Sequence, residues 1–362
     1  MSTLPIFFVF FEKIFAKTIY LFYLCPLKKL IMARVSIKDV ANTLDVSAAT
    51  VSLVLNGRDK DGRISEVLAE KIRNKAKDMN YKPNSFAKGL RSGRSETIGL
   101  IVADISNSFF SSLAFHIQEQ AEKCGYSVII ANTNEKTDKM EKMISILKSR
   151  QVDGFIIVST EHGEKQIEKL VRDKIPVVLL DRYFKGIDVS YVGVNNYQAA
   201  MEATNLLLNL NCKRIVHMTY KHNISPMQDR KQGYIAALTN RGLYDSKLIK
   251  EINYWTINRD IPNMVMELLS SEEKVDGFFF ASSTIAFITL KKILALKLEI
   301  PKDIKVVCFS KNDIFEFPNI FIPYIQQPTA EIGKRAVELI IAHITQKDAP
   351  NVHEILQAKL VF

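Results

Sequence analysis

Two serines, Ser36 and Ser47, stand where each could cap the first turn of a short helix. Asp39 follows Ser36 at the spacing of a capping box, and Asp45 with Val46 would form a tight turn between the two helices. Two helices joined in this way can place the second one in the major groove of DNA. The chemistry that this segment offers is hydrogen bonding and apolar contact with base edges.

Apolar positions divide this segment into a buried face and an exposed face. The predicted buried face consists of Ile37, Val40, Ala41 and Leu44 in the first helix and Val51, Val54 and Leu55 in the second. The remaining surface is expected to contact DNA through Ser36, Ser47, Ala48, Ala49, Thr50, Ser52, Leu53 and Asn56. An ordinary helical hairpin without a DNA ligand is the alternative interpretation.

A third helix is expected to complete the helical unit. Ser65 is placed as its N-cap, since an amphipathic pattern follows directly. Its predicted core face consists of Val67, Leu68, Ile72, Ala76 and Met79. The second helix should end at Asn56-Gly57, because glycine readily adopts the left-handed conformation that terminates helices.

The positive charge of the chain is unevenly distributed. Within a formal net charge of +10, residues 33–95 hold 13 Lys or Arg against 7 Asp or Glu, and residues 1–32 hold 4 against 1. Residues 96–362 hold 32 against 31 and are nearly neutral. This segregation favours phosphate binding by the small helical unit and a small-molecule or protein ligand for the remainder.

The sequence contains no group of residues that indicates catalysis or metal binding. Its four cysteines (Cys25, Cys124, Cys212 and Cys308) lack a CxxC spacing, and its six histidines are dispersed. A nucleophile elbow, a phosphate-binding glycine loop and an HExxH motif are all missing. We therefore expect a protein that is not an enzyme, has no metal or cofactor, and keeps its thiols reduced in the cytoplasm.

The first 31 residues are rich in aromatic and aliphatic side chains but match no complete targeting signal. Their apolar runs, Leu4–Phe11 and Thr18–Leu27, are each shorter than the roughly 18 to 20 residues that span a bilayer. The favoured interpretation is a misassigned translation start, with Met32 as the first residue. A membrane-associated helix and a genuine disordered or packed extension are the alternatives.

Strands and helices are predicted to alternate from Thr97 onward. The strand segments TIGLIVAD, YSVIIANT, VDGFIIVST and IPVVLLD are separated by helical segments, and a second series begins with RIVHMTY. Residues 152–160 and 275–283, VDGFIIVST and VDGFFFASS, have nearly the same strand sequence. The pattern predicts doubly wound parallel sheets in two similar halves.

Three segments, beginning at Val35, Tyr81 and Thr97, resemble the LacI family of bacterial transcriptional regulators. They read VSIKDVANTLDVSAATVSLVLNG, YKPNSFAKGLRSGRS and TIGLIVADISNSFF, and the resemblance covers residues 33–362. It implies a small all-α helix-turn-helix DNA-binding domain followed by an α/β domain of two lobes, like that of periplasmic sugar-binding proteins. The chain would return to the first lobe near Tyr324–Pro328.

The resemblance also implies domain boundaries. These are 1–32 for the extension, 33–82 for the helix-turn-helix domain, 83–95 for a hinge, and 96–362 for the effector-binding and dimerisation domain. In the family, paired hinges enter the minor groove of the operator, and Leu90 matches the residue that wedges base pairs apart. The implied hinge contacts with DNA are Asn84, Ala87, Lys88, Leu90 and Arg91.

Effector contacts are expected in the cleft between the lobes, beyond the carboxyl ends of the strands. The resemblance places them at Asp104, Phe109, Phe110, Arg182, Arg230, Ser283 and Ser310. Arg230 matches the arginine that fixes polar groups of the ligand in the family. Asn107 is placed at the same cleft mouth.

Ser283 and Ser310 depart from the family pattern, because sugar-binding members commonly have aspartates at these positions. With Arg230 present and these carboxylates missing, the cleft would be positive unless Asp104 or Asp181 turns inward. This predicts a sugar or sugar derivative that carries a carboxylate or phosphate, bound by the guanidinium of Arg230.

The resemblance implies a homodimeric cytoplasmic repressor that binds a palindromic operator and responds to a small-molecule effector. A solute-binding protein of a transport system, with an N-terminal signal or anchor, is the alternative and would share the two-lobed domain. Of the two, only the regulator accounts for the helical unit and the hinge.

Overall fold

The computed structural model describes residues 35–81, 93–311, 315–317, 320–346 and 348–362. The chain divides into two compact units between residues 88 and 89. The predicted extension and the hinge contacts lie outside the described residues; these contacts are Asn84, Ala87, Lys88, Leu90 and Arg91.

Three helices form the described part of the first unit, as predicted. They are α1 (Ile37–Thr43), α2 (Ala48–Leu55) and α3 (Glu66–Asp78). Their N-caps are Ser36, Ser47 and Ser65, and each serine oxygen accepts a backbone N–H of the first turn. At α1 the capping box is complete, since the Ser36 N–H also donates to Asp39 Oδ2 over 2.8 Å.

The core of the helical unit differs from the prediction at Val67. This side chain is 68% exposed, whereas Ala69 is fully buried. Because successive helix residues are about 100° apart, a face that contains Ile72 and Ala76 also contains Ala69, and Val67 lies on the opposite side. The turns are as expected, since Asp45 and Gly57 have φ values of 50° and 68°.

The described part of the second unit contains two six-stranded sheets. The strands of the first sheet are β1 (Thr97–Val102), β2 (Ser127–Asn132), β3 (Gly154–Ile157), β4 (Val177–Leu180), β5 (Ser190–Val194) and β13 (His353–Leu356). Their order is β2-β1-β3-β4-β5-β13, and all neighbours are parallel. The helices of this lobe 1 are α4 (Ser108–Lys123), α5 (Thr137–Ser149), α6 (Glu164–Arg172) and α11 (Thr329–Thr345).

Lobe 2 is built around the second sheet. Its strands are β6 (Ile215–Tyr220), β7 (Ile249–Ile252), β8 (Gly277–Phe280), β9 (Lys305–Phe309), β12 (Tyr324–Gln326) and β14 (Lys359–Val361). The order is β7-β6-β8-β9-β12-β14, with β14 antiparallel to β12. The helices are α7 (Asn196–Asn209), α8 (Ser225–Thr239), α9 (Ile257–Ser270) and α10 (Ser283–Ala295). A short hairpin consists of β10 (Glu316–Phe317) and β11 (Ile320–Phe321).

The chain passes between the lobes at three places. It leaves lobe 1 after β5, returns between β12 and α11, and passes again from β13 to β14. The return lies at residues 327–328, within the predicted segment. Buried apolar side chains lie on both faces of the inner parallel strands, because helices cover each sheet on both sides.

The repeated segment predicted from the sequence occupies the same place in both lobes. β3 pairs with β1, and β8 pairs with β6. Asp153, just before β3, accepts the backbone N–H groups of residues 95 and 96 over 2.7 and 2.8 Å. Asp276, just before β8, accepts those of residues 213 and 214 over 2.7 and 2.9 Å. One carboxylate in each lobe therefore fixes the backbone just before the neighbouring strand, which is β1 in lobe 1 and β6 in lobe 2.

Removal of either carboxylate should destabilise the second unit. Asp153→Ala and Asp276→Ala each leave two backbone N–H groups without their acceptor, so we expect a loss of about 2 to 3 kcal/mol in the free energy of unfolding. Urea unfolding followed by circular dichroism measures this loss. Asp173→Ala is the control, because Asp173 forms an exposed ion pair with Lys148. If the losses are no larger than that of the control, the two carboxylates do not stabilise the second unit in this way.

Candidate functional site

The predicted base-reading surface lies on α2. Of its three apolar members, Ala49 is exposed, whereas Ala48 and Leu53 are half-buried. Ala48 packs on the three-helix core, and Leu53 lies so close to Gly62 that a Cβ at residue 62 would be 2.8 Å from Leu53 Cδ1. Ala49 is therefore the apolar residue best placed for base contact, which corrects the expectation that all three face outward.

The polar members of this surface take part in hydrogen bonds within the helix. Ser47 Oγ accepts the Thr50 N–H over 3.0 Å, and Asn56 Nδ2 donates to the Ser52 carbonyl over 2.7 Å. Ser36 is likewise used by the capping box of α1. The bonds between Ser47 and Thr50 hold these two hydroxyls at the amino end of α2, the end that approaches DNA in helix-turn-helix proteins.

All seven predicted effector residues line one cleft between the lobes. Lobe 1 contributes Asp104, Phe109, Phe110 and Arg182, and lobe 2 contributes Arg230, Ser283 and Ser310. Asn107 also lines the cleft and accepts the Phe109 N–H over 3.0 Å. About 50 Å³ of free space remains, enough for a few water molecules, so the cleft in this conformation is too small for a sugar-sized ligand. Their role as ligand contacts stays a prediction.

Glu135, which the sequence analysis missed, is the partner of Arg182. The guanidinium donates to both carboxylate oxygens over 2.7 and 2.6 Å, and also to the Ser159 carbonyl over 2.7 Å. The two side chains are only 5% and 10% exposed. Burial opposes the charge of Arg182, but Glu135 and Asp181 hold its pKa above the ordinary value. Glu135 follows β2 at the carboxyl edge of the sheet, and that position is the signal that could have found it.

Arg230 is held by neutral groups. Its Nε donates to Asn196 Oδ1 and its Nη1 to the Ala281 carbonyl, each over 2.8 Å, and its guanidinium lies 3.6 Å from the centroid of the Phe309 ring. Burial lowers the pKa of Arg230 to about 10, although Asp181 opposes that effect. Nη2 makes no hydrogen bond to any described residue, so it is available to a ligand.

Asp104 and Asp181 both line the cleft, which is the condition under which the sequence predicted no excess of positive charge. Two guanidiniums, Arg182 and Arg230, face the carboxyl groups of Asp104, Glu135 and Asp181 among the described lining residues. Burial raises the pKa of Asp181 even though both guanidiniums lie nearby. The carboxyl groups can balance the arginines without an anionic ligand, so the charge argument for such an effector does not apply to this cleft.

Several side chains join the lobes around the cleft. Tyr254 of lobe 2 donates to Asp104 Oδ2 of lobe 1 over 2.6 Å. Glu161 of lobe 1 accepts the Asn223 N–H over 2.8 Å and lies 2.8 Å from His222 Nδ1. Burial opposes the charge of Glu161, yet its pKa is lowered by these two partners. The lobes are therefore connected by hydrogen bonds on both sides of the cleft.

Comparisons with known proteins identify the family. A family model described as periplasmic binding proteins and sugar binding domain of LacI family matches residues 95–360. A second, described as bacterial regulatory proteins of the lacI family, matches residues 36–84. The chain belongs to the LacI family. It is a ligand-responsive DNA-binding transcriptional regulator, and the transport-protein alternative fails because it does not explain the second match.

Similar proteins match most of the chain. The ribose operon repressor of Halalkalibacterium halodurans is 31% identical over 329 residues, 90% of this chain and 95% of that protein. The HTH-type transcriptional regulator RegA of Clostridium saccharobutylicum is 29% identical over 330 residues, 90% of this chain and 97% of that protein. A LacI family transcriptional regulator from Silicibacter pomeroyi, 23% identical, has a TM-score of 0.75 over 91% of this chain and 98% of its own.

These relatives are transcriptional regulators and not enzymes. Among the helices that the structure describes, none has both the length and the apolar composition needed to cross a membrane. Within the same residues, no group of His, Cys, Asp and Glu is arranged to hold a metal ion.

Breaking the Arg182–Glu135 pair should be costly. Glu135→Ala leaves a buried guanidinium without its main partner, and we expect a loss of about 3 to 5 kcal/mol in the free energy of unfolding. The double variant Glu135→Ala, Arg182→Ala should recover part of this loss, because no unpaired buried charge remains. Urea unfolding of the single and double variants gives the coupling energy.

The control for this cycle is the exposed pair Lys302–Glu299, which should show a coupling below about 1 kcal/mol. Equal coupling in the buried and exposed pairs would refute the structural importance of Arg182–Glu135.

Proposed function

We propose that this LacI-family regulator is a homodimeric cytoplasmic repressor that binds a palindromic operator through two copies of its helical unit. Its domain boundaries would be 33–82, 83–95 and 96–362. The segregation of positive charge into residues 33–95 supports phosphate binding there, and the name of the ribose operon repressor supports repression. Effector binding in the cleft would change operator affinity.

We propose further that the effector is a neutral sugar. The observation that carries this proposal is the charge balance of the cleft, where Arg182 already has a bidentate carboxylate partner. Asp104 and Asp181 offer acceptors for sugar hydroxyls, and Arg230 Nη2 offers a donor. The adjacent rings of Phe109 and Phe110, 5.1 Å apart, give an apolar surface for a sugar face. The family description as a sugar-binding domain and the ribose repressor agree with this class.

DNA recognition would combine few base contacts with deformation of the operator. Ala49 can meet a thymine methyl group, whereas Ser47 and Thr50 are short and reach little beyond the backbone. Affinity would come from phosphate contacts, and specificity largely from the predicted wedge at Leu90. Random-site selection followed by a gel shift tests this function, since a protein without an operator would enrich no palindrome.

A neutral sugar should bind more tightly than its acid. In calorimetry with an aldose and the matching uronic acid, we expect about tenfold or greater preference for the neutral member, because three carboxyl groups already face the two guanidiniums of the cleft and disfavour a fourth. Asp104→Asn should weaken sugar binding by about tenfold, and Asp188→Asn, at an exposed position outside the cleft, should leave it unchanged. Preferential binding of the uronic acid would overturn the assignment.

Leu90→Ala should weaken operator binding by about tenfold or more while leaving binding to random DNA nearly constant. A wedge acts only where a deformable step is kinked, so its loss removes specific affinity and spares phosphate contacts. Fluorescence anisotropy at one fixed salt concentration measures both affinities. Equal losses on the two DNAs would show that Leu90 is not a wedge.

A further inference from the structure

A second cavity, of about 480 Å³, lies beside the segment that crosses from β5 to α7. Its volume is within the range of small-molecule sites, and it has no described lining residue in common with the effector cleft. Four aromatic side chains contribute to its walls: Tyr183, Phe184, Tyr191 and Tyr197. Tyr183 and Tyr191 form an edge-to-face pair with centroids 5.2 Å apart, so this part of the wall is a fixed aromatic surface.

Asp229 supplies a carboxylate to the same cavity. It is partly buried and forms no hydrogen bond or ion pair with any residue that the structure describes. The acidic groups of the effector cleft differ, since Asp104 accepts from Tyr254 and Glu135 pairs with Arg182. Burial raises the pKa of Asp229, whereas the nearby charges of Arg230 and Lys185 oppose this.

The neighbouring guanidinium does not neutralise this carboxylate directly. Arg230 is committed to Asn196 Oδ1, the Ala281 carbonyl and the ring of Phe309. His353 also lines the cavity, but its Nε2 lies 3.0 Å from the Val189 carbonyl, which fixes the ring by a hydrogen bond. No arginine or lysine is among the described lining residues. A carboxylate that shares a cavity with four aromatic side chains is therefore left without a bonded cation among the described residues.

We propose that this cavity binds a small organic cation with an apolar body, such as an aralkylamine. Its ammonium group would lie between the Asp229 carboxylate and the faces of the tyrosine rings, and its apolar part would fill the remaining cavity. Aromatic rings attract cations through their quadrupole, and a carboxylate adds charge complementarity. The same lining offers no arginine or lysine to an anion. The side-chain amides of Asn195, Asn196 and Gln198 already donate to other residues of the protein, which leaves them less available to a sugar.

Calorimetry with the full chain tests this site, with phenethylamine as the probe and 2-phenylethanol as its neutral counterpart. We expect phenethylamine to bind about fivefold or more tightly than the alcohol, and Asp229→Asn to remove that difference. Tyr197→Leu should weaken amine binding, whereas Tyr197→Phe, which keeps the ring, should preserve it. If Asp229→Asn does not fold, the comparison of Tyr197→Leu with Tyr197→Phe still tests whether the amine binds in this cavity.

Two matched variants define where the amine binds. Asp188→Asn removes an exposed carboxylate just outside the lining, and Asp104→Asn removes one from the effector cleft; neither should change the affinity for phenethylamine. The proposal is overturned if phenethylamine gives no binding, if amine and alcohol bind equally, or if Asp104→Asn weakens the amine as Asp229→Asn does.

Discussion

The cleft depends on the compensation of buried positive charge. A guanidinium that leaves water must regain its hydrogen bonds from the protein, and the two Nη atoms of Arg182 do so through Glu135 and the Ser159 carbonyl. Its position is fixed by the residue before it: Asp181 has a φ of 62°, and its carbonyl accepts from the Tyr191 hydroxyl over 3.0 Å. The Tyr191 ring in turn occupies the space above Gly193, where a Cβ would lie 1.8 Å from that hydroxyl.

Parallel topology explains why these groups meet. Asp104, Glu135, Ser159 and Arg182 each follow a strand of the same sheet, and the carboxyl ends of parallel strands share one edge. Lobe 2 repeats the arrangement, with Tyr220 as the last residue of β6 and with Ser282 and Ser310 just after β8 and β9. The carboxyl edges of the two sheets face each other, and the chain crosses between the lobes three times. The space between these edges is therefore a cleft lined by polar residues.

Much of this fold follows from local rules. The caps at Ser36 and Ser47 predicted the helices of the first unit, and the repeated strand sequence predicted two similar lobes. The seven cleft residues were placed by the resemblance to the LacI family. The pairing of Arg182 with Glu135 could not be predicted in the same way, because it joins residues 47 positions apart and depends on the order of strands in the sheet. Val67 was misassigned because an apolar residue type was weighed above its angular position on α3.

The contacts between the lobes stabilise their connected arrangement without an effector. Tyr254 with Asp104, and Glu161 with His222 and Asn223, already connect the lobes through the protein's own groups. An effector shifts the equilibrium between connected and separated lobes only by its difference in affinity for the two states. The stabilisation that these bonds give to the connected state is already present before an effector binds. Stronger bonds of this kind would increase the fraction of effector-free molecules whose lobes are connected. The difference in operator affinity between effector-bound and effector-free protein would then become smaller.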